Sequence, residues 1–243
     1  MAKAKGIFIT GTDTGVGKTI AAAALARLLK TSGINVGVMK PVTSGCRVSA
    51  DKLISDDAEL LAWGAGISEV TSDIAPYLLR EPLAPSEAAL RDGTRIDFTT
   101  IIDAFNRLEQ QHDFVIVEGA GGLMVPLAGG LLVADLITHL NLPALVVTRP
   151  NLGTINHTLL TTFAAKQMGI NVAGIIINNF PADPDDAESY APHMLGSLAS
   201  APILGVFPKI EATDLHLVVE QLAEAIAAHP LTRFLKEELG IDS

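Results

Sequence analysis

Residues 6–19 read Gly6-Ile-Phe-Ile-Thr10-Gly11-Thr-Asp-Thr-Gly15-Val-Gly17-Lys18-Thr19. A short apolar run enters a glycine-rich turn, and residues 18–30 beyond it are rich in Ala and Leu, with Gly33 placed as a stop. Phosphate binding needs this order of strand, loop and helix. Glycines let backbone N–H groups curl around phosphate oxygens where a Cβ would clash. The helix N-terminus adds partial positive charge. The spacing therefore predicts a nucleoside triphosphate held by Gly15, Val16, Gly17, Lys18, Thr19 and Ile20. Lys18 would reach the β- and γ-phosphates, and the Thr19 hydroxyl would ligate Mg²⁺. The common pattern has four residues between its first glycine and the Gly-Lys pair. Here five separate Gly11 from Gly17, and Thr12 stands where the first glycine is expected. The plain alternative is an ordinary glycine-rich turn; the agreement of strand, loop and helix favours the phosphate loop.

The same alternation continues along the chain. Apolar runs rich in Val and Ile occupy residues 6–10, 35–40, 114–118, 144–148, 172–178 and 203–207. They do not alternate with polar residues, so each strand is buried on both faces, as in a parallel sheet covered by helices. Helical patterns fall at residues 18–30, 57–65, 98–111, 133–140, 154–168, 188–199 and 215–228. No linker or repeat divides residues 1–243. The expectation is one α/β domain of the P-loop NTPase type, mainly parallel, with helices on both faces. Ligands of such sheets sit at the carboxyl ends of the strands.

Composition removes several function classes. Lys plus Arg number 17 against 27 Asp plus Glu, a net charge of −10, so no nucleic-acid partner is expected. One cysteine, Cys46, excludes an internal disulfide and a cysteine-based metal site within one chain. None of the histidines forms a His-x-x-x-His pair. Residues 1–5 are basic, but only Ile7-Phe8-Ile9 follows before Thr10, too short for a signal peptide. The uncharged stretch 119–134 is broken by Pro126 and five glycines, which makes a poor transmembrane helix. A cytoplasmic protein with no membrane partner is expected.

Three further charged positions sit where such sheets bind ligands. Glu118 ends the run Phe114-Val-Ile-Val117 and precedes Gly119-Ala-Gly-Gly122, the place of a carboxylate in a metal shell. Asp57, in Ser55-Asp-Asp57-Ala-Glu, is either a helix cap or a third oxygen ligand beside Thr19 and Glu118; Mg²⁺ accepts such a set. Lys40 ends the second run in Val38-Met-Lys40-Pro-Val-Thr-Ser44-Gly. It is either solvated at the rim or a catalytic cation that neutralises charge on a transferring phosphoryl group. Cys46 has no neighbouring histidine to activate it and is not expected to be a nucleophile.

Together these elements resemble the dethiobiotin synthetase family. The matching motifs are Thr10-Gly-Thr-Asp-Thr-Gly-Val-Gly-Lys-Thr19, Lys40-Pro-Val-Thr-Ser-Gly45, Ser55-Asp-Asp-Ala58 and Val117-Glu-Gly-Ala-Gly-Gly122. Leu152-Gly-Thr-Ile-Asn-His157, Gly174-Ile-Ile-Ile-Asn178 and Gly205-Val-Phe-Pro208 follow in order, so the resemblance spans about residues 5–210. It implies a homodimer that uses ATP, Mg²⁺ and CO₂ (or bicarbonate) to convert 7,8-diaminopelargonate to dethiobiotin, ADP and phosphate. It also implies residue roles. Lys18 and Lys40 would flank the carbamate and γ-phosphate, Thr12 and Ser44 the diamine or carbamate end, and Thr19, Asp57 and Glu118 would hold Mg²⁺. Gly119, Ala120 and Gly121 would line the site, and Asn178 would read adenine beside Asn179 and Pro208. The turn from Gly153 to Asn156, with Tyr190, would hold the substrate carboxylate from the partner subunit.

The chain departs from the family pattern at Gly15, where some members have an acidic residue, and after Pro85, where a histidine is expected and Ser86 stands. A P-loop amidoligase of cobyrinate or cobyrate synthesis resembles the same loop but carries a glutaminase domain for which this chain has no room. A partition or septum-positioning switch ATPase has a lysine four residues before the Gly-Lys pair; Asp13 stands there. Residues 215–235 also lack the basic face that anionic lipid requires.

Overall fold

The computed structural model describes residues 6–241, so the basic start at residues 1–5 lies outside the described residues. In chain order the elements are β1 (Gly6–Gly11), α1 (Lys18–Thr31), β2 (Val36–Met39), β3 (Val42–Thr43), β4 (Arg47–Ser49), β5 (Lys52–Ile54) and α2 (Asp56–Ala65). Then come β6 (Tyr77–Leu78), α3 (Pro85–Arg91), α4 (Phe98–Gln111), β7 (Phe114–Gly122), β8 (Pro126–Ala128), β9 (Leu131–Leu132) and α5 (Val133–Leu140). The rest are β10 (Ala144–Thr148), α6 (Thr154–Gln167), β11 (Val172–Phe180), α7 (Asp186–Leu198), β12 (Ile203–Pro208), α8 (Leu215–Ala228) and α9 (Thr232–Glu238).

Six strands form one sheet in the order β12-β11-β10-β1-β7-β2, and every pairing in it is parallel. All six residues of β1 and all five of β10 are buried, which requires cover on both faces. The Ala-rich face of α1 suits this: Ala21 to Ala24 have no exposure and allow close approach to α2 and α8. The six apolar runs expected from sequence are the six strands of this sheet. Three small pairs, β3 with β6, β4 with β5 and β8 with β9, lie outside it. Each is two or three residues long, below the length at which hydrophobic periodicity can be read. The short helices α3 and α9 escaped for the same reason.

Two boundaries differ from expectation in ways that matter. β7 does not end at Glu118 but runs on to Gly122, with an irregularity between the Ile9–Glu118 and Gly11–Gly122 pairings. α2 begins at Asp56, capped by Ser55, whose hydroxyl accepts from the Ala58 N–H. Asp57 is therefore not the cap, and its carboxylate is free for other work. No described helix is long and apolar enough to cross a membrane.

Strand order sets the functional edge. β1 sits between β10 and β7, so the loop after β1 opens beside the carboxyl ends of both. Ser55 helps hold α2 against that edge: its hydroxyl also meets Thr43 Oγ1 at 2.9 Å, buried. Ser55→Ala should lower stability by about 1–2 kcal/mol in urea unfolding, since it deletes both a cap and a buried partner. An unchanged midpoint would show that α2 is held by packing alone.

Candidate nucleotide and phosphoryl-transfer site

α1 starts on Gly17, which has φ 86 and ψ 31. That left-handed conformation disfavours any side chain, and a Cβ there would run into the Asn178 amide nitrogen. The N-terminus of α1 consequently opens bare, with its backbone N–H groups pointing into the loop. Lys18 follows at once, 6% exposed, its ammonium donating to the Asp13 carbonyl at 3.1 Å. Burial lowers its pKa from the usual lysine value, with Glu118 pulling the other way.

Glu118 is 1% exposed in a central strand. Its Oε1 accepts from Thr19 Oγ1 at 2.8 Å and from Lys40 Nζ at 2.6 Å. Its Oε2 is buried and has no partner among the described residues. Lys40 is 4% exposed and also meets Asp57 Oδ2 at 2.7 Å, so one ammonium bridges two carboxylates. Neither charge is solvated at the sheet edge: Lys40 and Glu118 are both inside. Burial pulls Lys40 down, but Glu118 and Asp57 outweigh it and hold the ammonium above its usual value. Burial pushes the Glu118 carboxyl up against the pull of Lys40. Asp57 is also raised by burial, yet Lys40 prevails and its carboxyl lies below the usual range.

These oxygens fit Mg²⁺. The donors are one hydroxyl and two carboxylates, all hard, and Glu118 Oε2 is a buried oxygen without a partner. The Lys40 ammonium neutralises one of the two carboxylate charges, and the negative charge left over favours a cation.

A cavity of about 440 Å³ gathers Gly15, Gly17, Lys18, Thr19, Ile20, Lys40, Ser44, Asp57, Glu118, Ala120 and Gly121. Val16 lies buried beneath the loop and Gly119 beneath Ala120, where a Cβ would meet the Phe8 ring. Other expected residues lie elsewhere. Thr12 lines a neighbouring cavity of about 340 Å³ with Asp13 and Thr14. Asn178 is 1% exposed; its amide donates to the Val16 and Gly17 carbonyls at 3.1 and 3.3 Å, and its Oδ1 has no partner. Asn179 is exposed with φ 58, and Pro208 is exposed at the end of β12. Gly153, at φ 99, precedes α6 as its cap; Asn156 is exposed in the first turn, and Tyr190 is exposed on α7.

Sequence reading missed Thr14, Val42, Thr43, Asp56, Leu60 and Leu215 among the cavity lining, and Arg149, whose guanidinium meets Asp13 Oδ2 at 2.6 Å. Thr43 stands inside a quoted motif, so a signal existed; Leu215 and Arg149 come together with the loop only in three dimensions. Cys46 is buried, its thiol pushed up by burial, which agrees with an unreactive side chain.

The bridging ammonium makes a prediction. In Lys40→Met the two carboxylates lose their cation, and metal-free stability should fall by about 3 kcal/mol. MgCl₂ without nucleotide should then raise the melting temperature of the variant and not that of the wild type. Equal MgCl₂ effects on both proteins would refute competition between lysine and metal for this position.

Comparison with known proteins places this geometry. Residues 5–216 match the family described as AAA domain. The ATP-dependent dethiobiotin synthetase of Bacillus licheniformis is 44% identical, over 89% of this chain and 92% of its own length. That of Bacillus subtilis is 42% identical over 90% and 95%, and that of Thermodesulfovibrio yellowstonii 43% over 84% and 88%. Among solved structures, a ParA family ATPase from Chlorobium tepidum aligns with a TM-score of 0.58 at 16% identity, covering 98% of both chains. The septum site-determining protein MinD with Mg-ADP from Pyrococcus horikoshii aligns at 0.55 and 17%, covering 92% of this chain and 96% of its own. At such identities the likeness is one of fold alone. The sequence relatives go further: this chain belongs to the dethiobiotin synthetase family.

Proposed function

We propose that the protein makes dethiobiotin from 7,8-diaminopelargonate, CO₂ and ATP, a ligase step of biotin biosynthesis, working in the cytoplasm as one domain over residues 1–243. The observation that carries this reading is the convergence of two buried lysines and two carboxylates at the mouth of the phosphate loop. A reaction that builds and discharges a phosphorylated carbamate needs positive charge on both sides of the transferring group.

The N7 amine of the diamine adds to CO₂ and loses a proton, giving a carbamate. A carbamate oxygen attacks the γ-phosphorus, and ADP leaves. The N8 amine then attacks the carbamoyl carbon, phosphate departs, and the ureido ring closes. Backbone N–H groups from Gly15 to Thr19 hold the phosphates. Lys18 and Lys40 hold the carbamate against the γ-phosphate, which turns a bimolecular encounter into a positioned one. Ser44 borders the same cavity, whereas Thr12 lines the cavity next to it. Thr19, Asp57 and Glu118 would hold Mg²⁺, which when bound would supply charge neutralisation at the phosphates. The free Oδ1 of Asn178 is an acceptor, which suits the exocyclic amine of adenine and opposes the carbonyl oxygen of guanine. Asn179 and Pro208 border the base.

The carboxylate end belongs to a second copy. Asn156, Leu160 and Phe163 are spaced by four and three residues, one face of α6. Leu160 and Phe163 are 59% and 62% exposed, Leu152 before them 91% and Tyr190 67%. An apolar face of this kind supports a homodimer contact, and Asn156 with the Gly153 turn then lies at its seam, facing the partner's substrate.

Two measurements test the proposal. MgATP should release phosphate only when both the diamine and bicarbonate are present, with dethiobiotin seen by mass spectrometry. Hydrolysis that ignores the diamine would sink the reading. Phe163→Glu should shift the sedimenting species from dimer to monomer and raise the diamine KM by at least about tenfold, because it buries a charge in the contact. A monomeric wild type would end the shared-site argument.

A further inference from the structure

The lysine of the phosphate loop is aimed by a chain of contacts that begins outside the cavity. Lys18 Nζ donates to the Asp13 carbonyl at 3.1 Å, its one hydrogen bond among the described residues. The ammonium also lies against Gly11, where a Cβ would come 3.0 Å from Nζ. The Asp13 carboxylate makes two contacts of its own. Its Oδ1 accepts from the Thr14 N–H at 2.7 Å, and its Oδ2 accepts from Arg149 Nη2 at 2.6 Å. No sequence motif marks Arg149, and nothing in the reaction as described uses it. We infer that Arg149 is a positioning residue for Lys18: by holding the Asp13 carboxylate it fixes the Asp13–Thr14 peptide, and with it the carbonyl that directs the ammonium. This rests on the proposed function, which places Lys18 between the γ-phosphate and the carbamate.

Peptide geometry joins the two ends of this chain. The Asp13 carbonyl and the Thr14 N–H belong to one trans peptide plane, in which they point to opposite sides. The carboxylate takes the N–H on one side, so the carbonyl is turned to the other, where Lys18 meets it. Rotation of that plane would take the acceptor away from Lys18. An exposed aspartate on its own has several rotamers and would not prevent the rotation. Arg149 removes that freedom, and its own place is set by strand register. In the β1–β10 pairing Gly11 stands opposite Val147, and the Thr12 N–H donates to the Val147 carbonyl at 3.0 Å. Two residues further along each segment, Asp13 and Arg149 come side by side. Thr148 before Arg149 has no exposure and Pro150 after it has a fixed φ, so the guanidinium extends from a held backbone. An ammonium has three N–H donors. The Asp13 carbonyl takes one, which leaves two in set directions for phosphate and carbamate oxygens.

The test compares Arg149→Met, which removes the cation, with Arg149→Lys, which keeps one for Oδ2. Calorimetry gives the Kd of MgATP and of MgADP for each, with the melting temperature as the check of folding. Arg149→Met should raise the ATP Kd about fivefold, the scale of a half-exposed ion pair, and leave the ADP Kd within about twofold, since ADP lacks the γ-phosphate. Arg149→Lys should stay within about twofold of the wild type for both nucleotides. In a Lys18→Met background the Arg149→Met change should add less than about twofold, because Arg149 acts through Lys18. Asp13→Asn, which removes the charge together with the link, should weaken ATP as Arg149→Met does. An unchanged ATP Kd in Arg149→Met, or an equal loss of ATP and ADP affinity, would overturn the proposal. So would full additivity with Lys18→Met or tighter ATP binding in Asp13→Asn, since either would mean that an unpaired Asp13 carboxylate merely repels the phosphates. If Arg149→Met folds poorly, Asp13→Asn breaks the same link from the other side and carries the same comparison in the Lys18→Met background. Failure of the underlying reading is seen separately, as Lys18→Met protein that binds ATP as tightly as the wild type, or wild-type protein that shows no diamine-dependent turnover.

Discussion

A buried carboxylate on a central strand must have a cation beside it, and much of this site follows from that constraint at Glu118. At 1% exposure, the side chain is in a setting where an isolated charge costs several kcal/mol. Lys40 supplies the cation from the segment just after β2, the strand beside β7. Its ammonium has three N–H donors, more than one carboxylate oxygen takes up, and Asp57 at the start of α2 meets the same nitrogen. The arrangement thus joins β2, β7, α2 and the Thr19 hydroxyl of α1 at a single point. It also holds Lys40 in the cavity at the mouth of the phosphate loop. Glu118 Oε2 is left over, and a divalent ion would satisfy it.

Asn178 imposes a second constraint from the other side of β1. Its amide clamps the Val16 and Gly17 carbonyls, and Gly17 has no Cβ because that amide occupies the space. The residue proposed to read the base therefore also shapes the loop that binds the phosphates. Under the proposed function, base recognition and phosphate geometry would be coupled through one buried side chain, with its Oδ1 as the remaining acceptor.

The sheet was legible because its strands are continuous apolar runs, a pattern that only double-sided burial produces. The phosphate loop was legible despite its extra residue, since strand, turn and helix agree. Lys40 and Glu118 could be placed at the functional edge, but rim solvation stayed open for both, because exposure is a property of neighbours distant in sequence. Asp57 could not be separated from a cap until Ser55 was seen to fill that role. The contact between the Thr12 hydroxyl of the loop and Thr148 at the end of β10, 3.1 Å, left no trace in the sequence. A threonine at a strand end is ordinary, and only the β1–β10 pairing brings Thr12 to it.

Likeness of fold to septum and partition ATPases raises the question of what makes this chain a ligase. The sheet and loop are common ground, so they cannot decide. The difference lies in charge. At the position where the switch ATPases carry a lysine, this chain has Asp13, and its carboxylate turns outward to Arg149 rather than toward the phosphates. The loop's own positive charge is then only Lys18, and the second cation comes from Lys40, on the far side of the cavity. A lysine across the cavity serves a γ-phosphate that passes to an acceptor lying between the two, and a carbamate oxygen is such an acceptor. In the proposed function, positive charge at the end of β2 as well as in the loop would suit this fold to transfer onto such an acceptor.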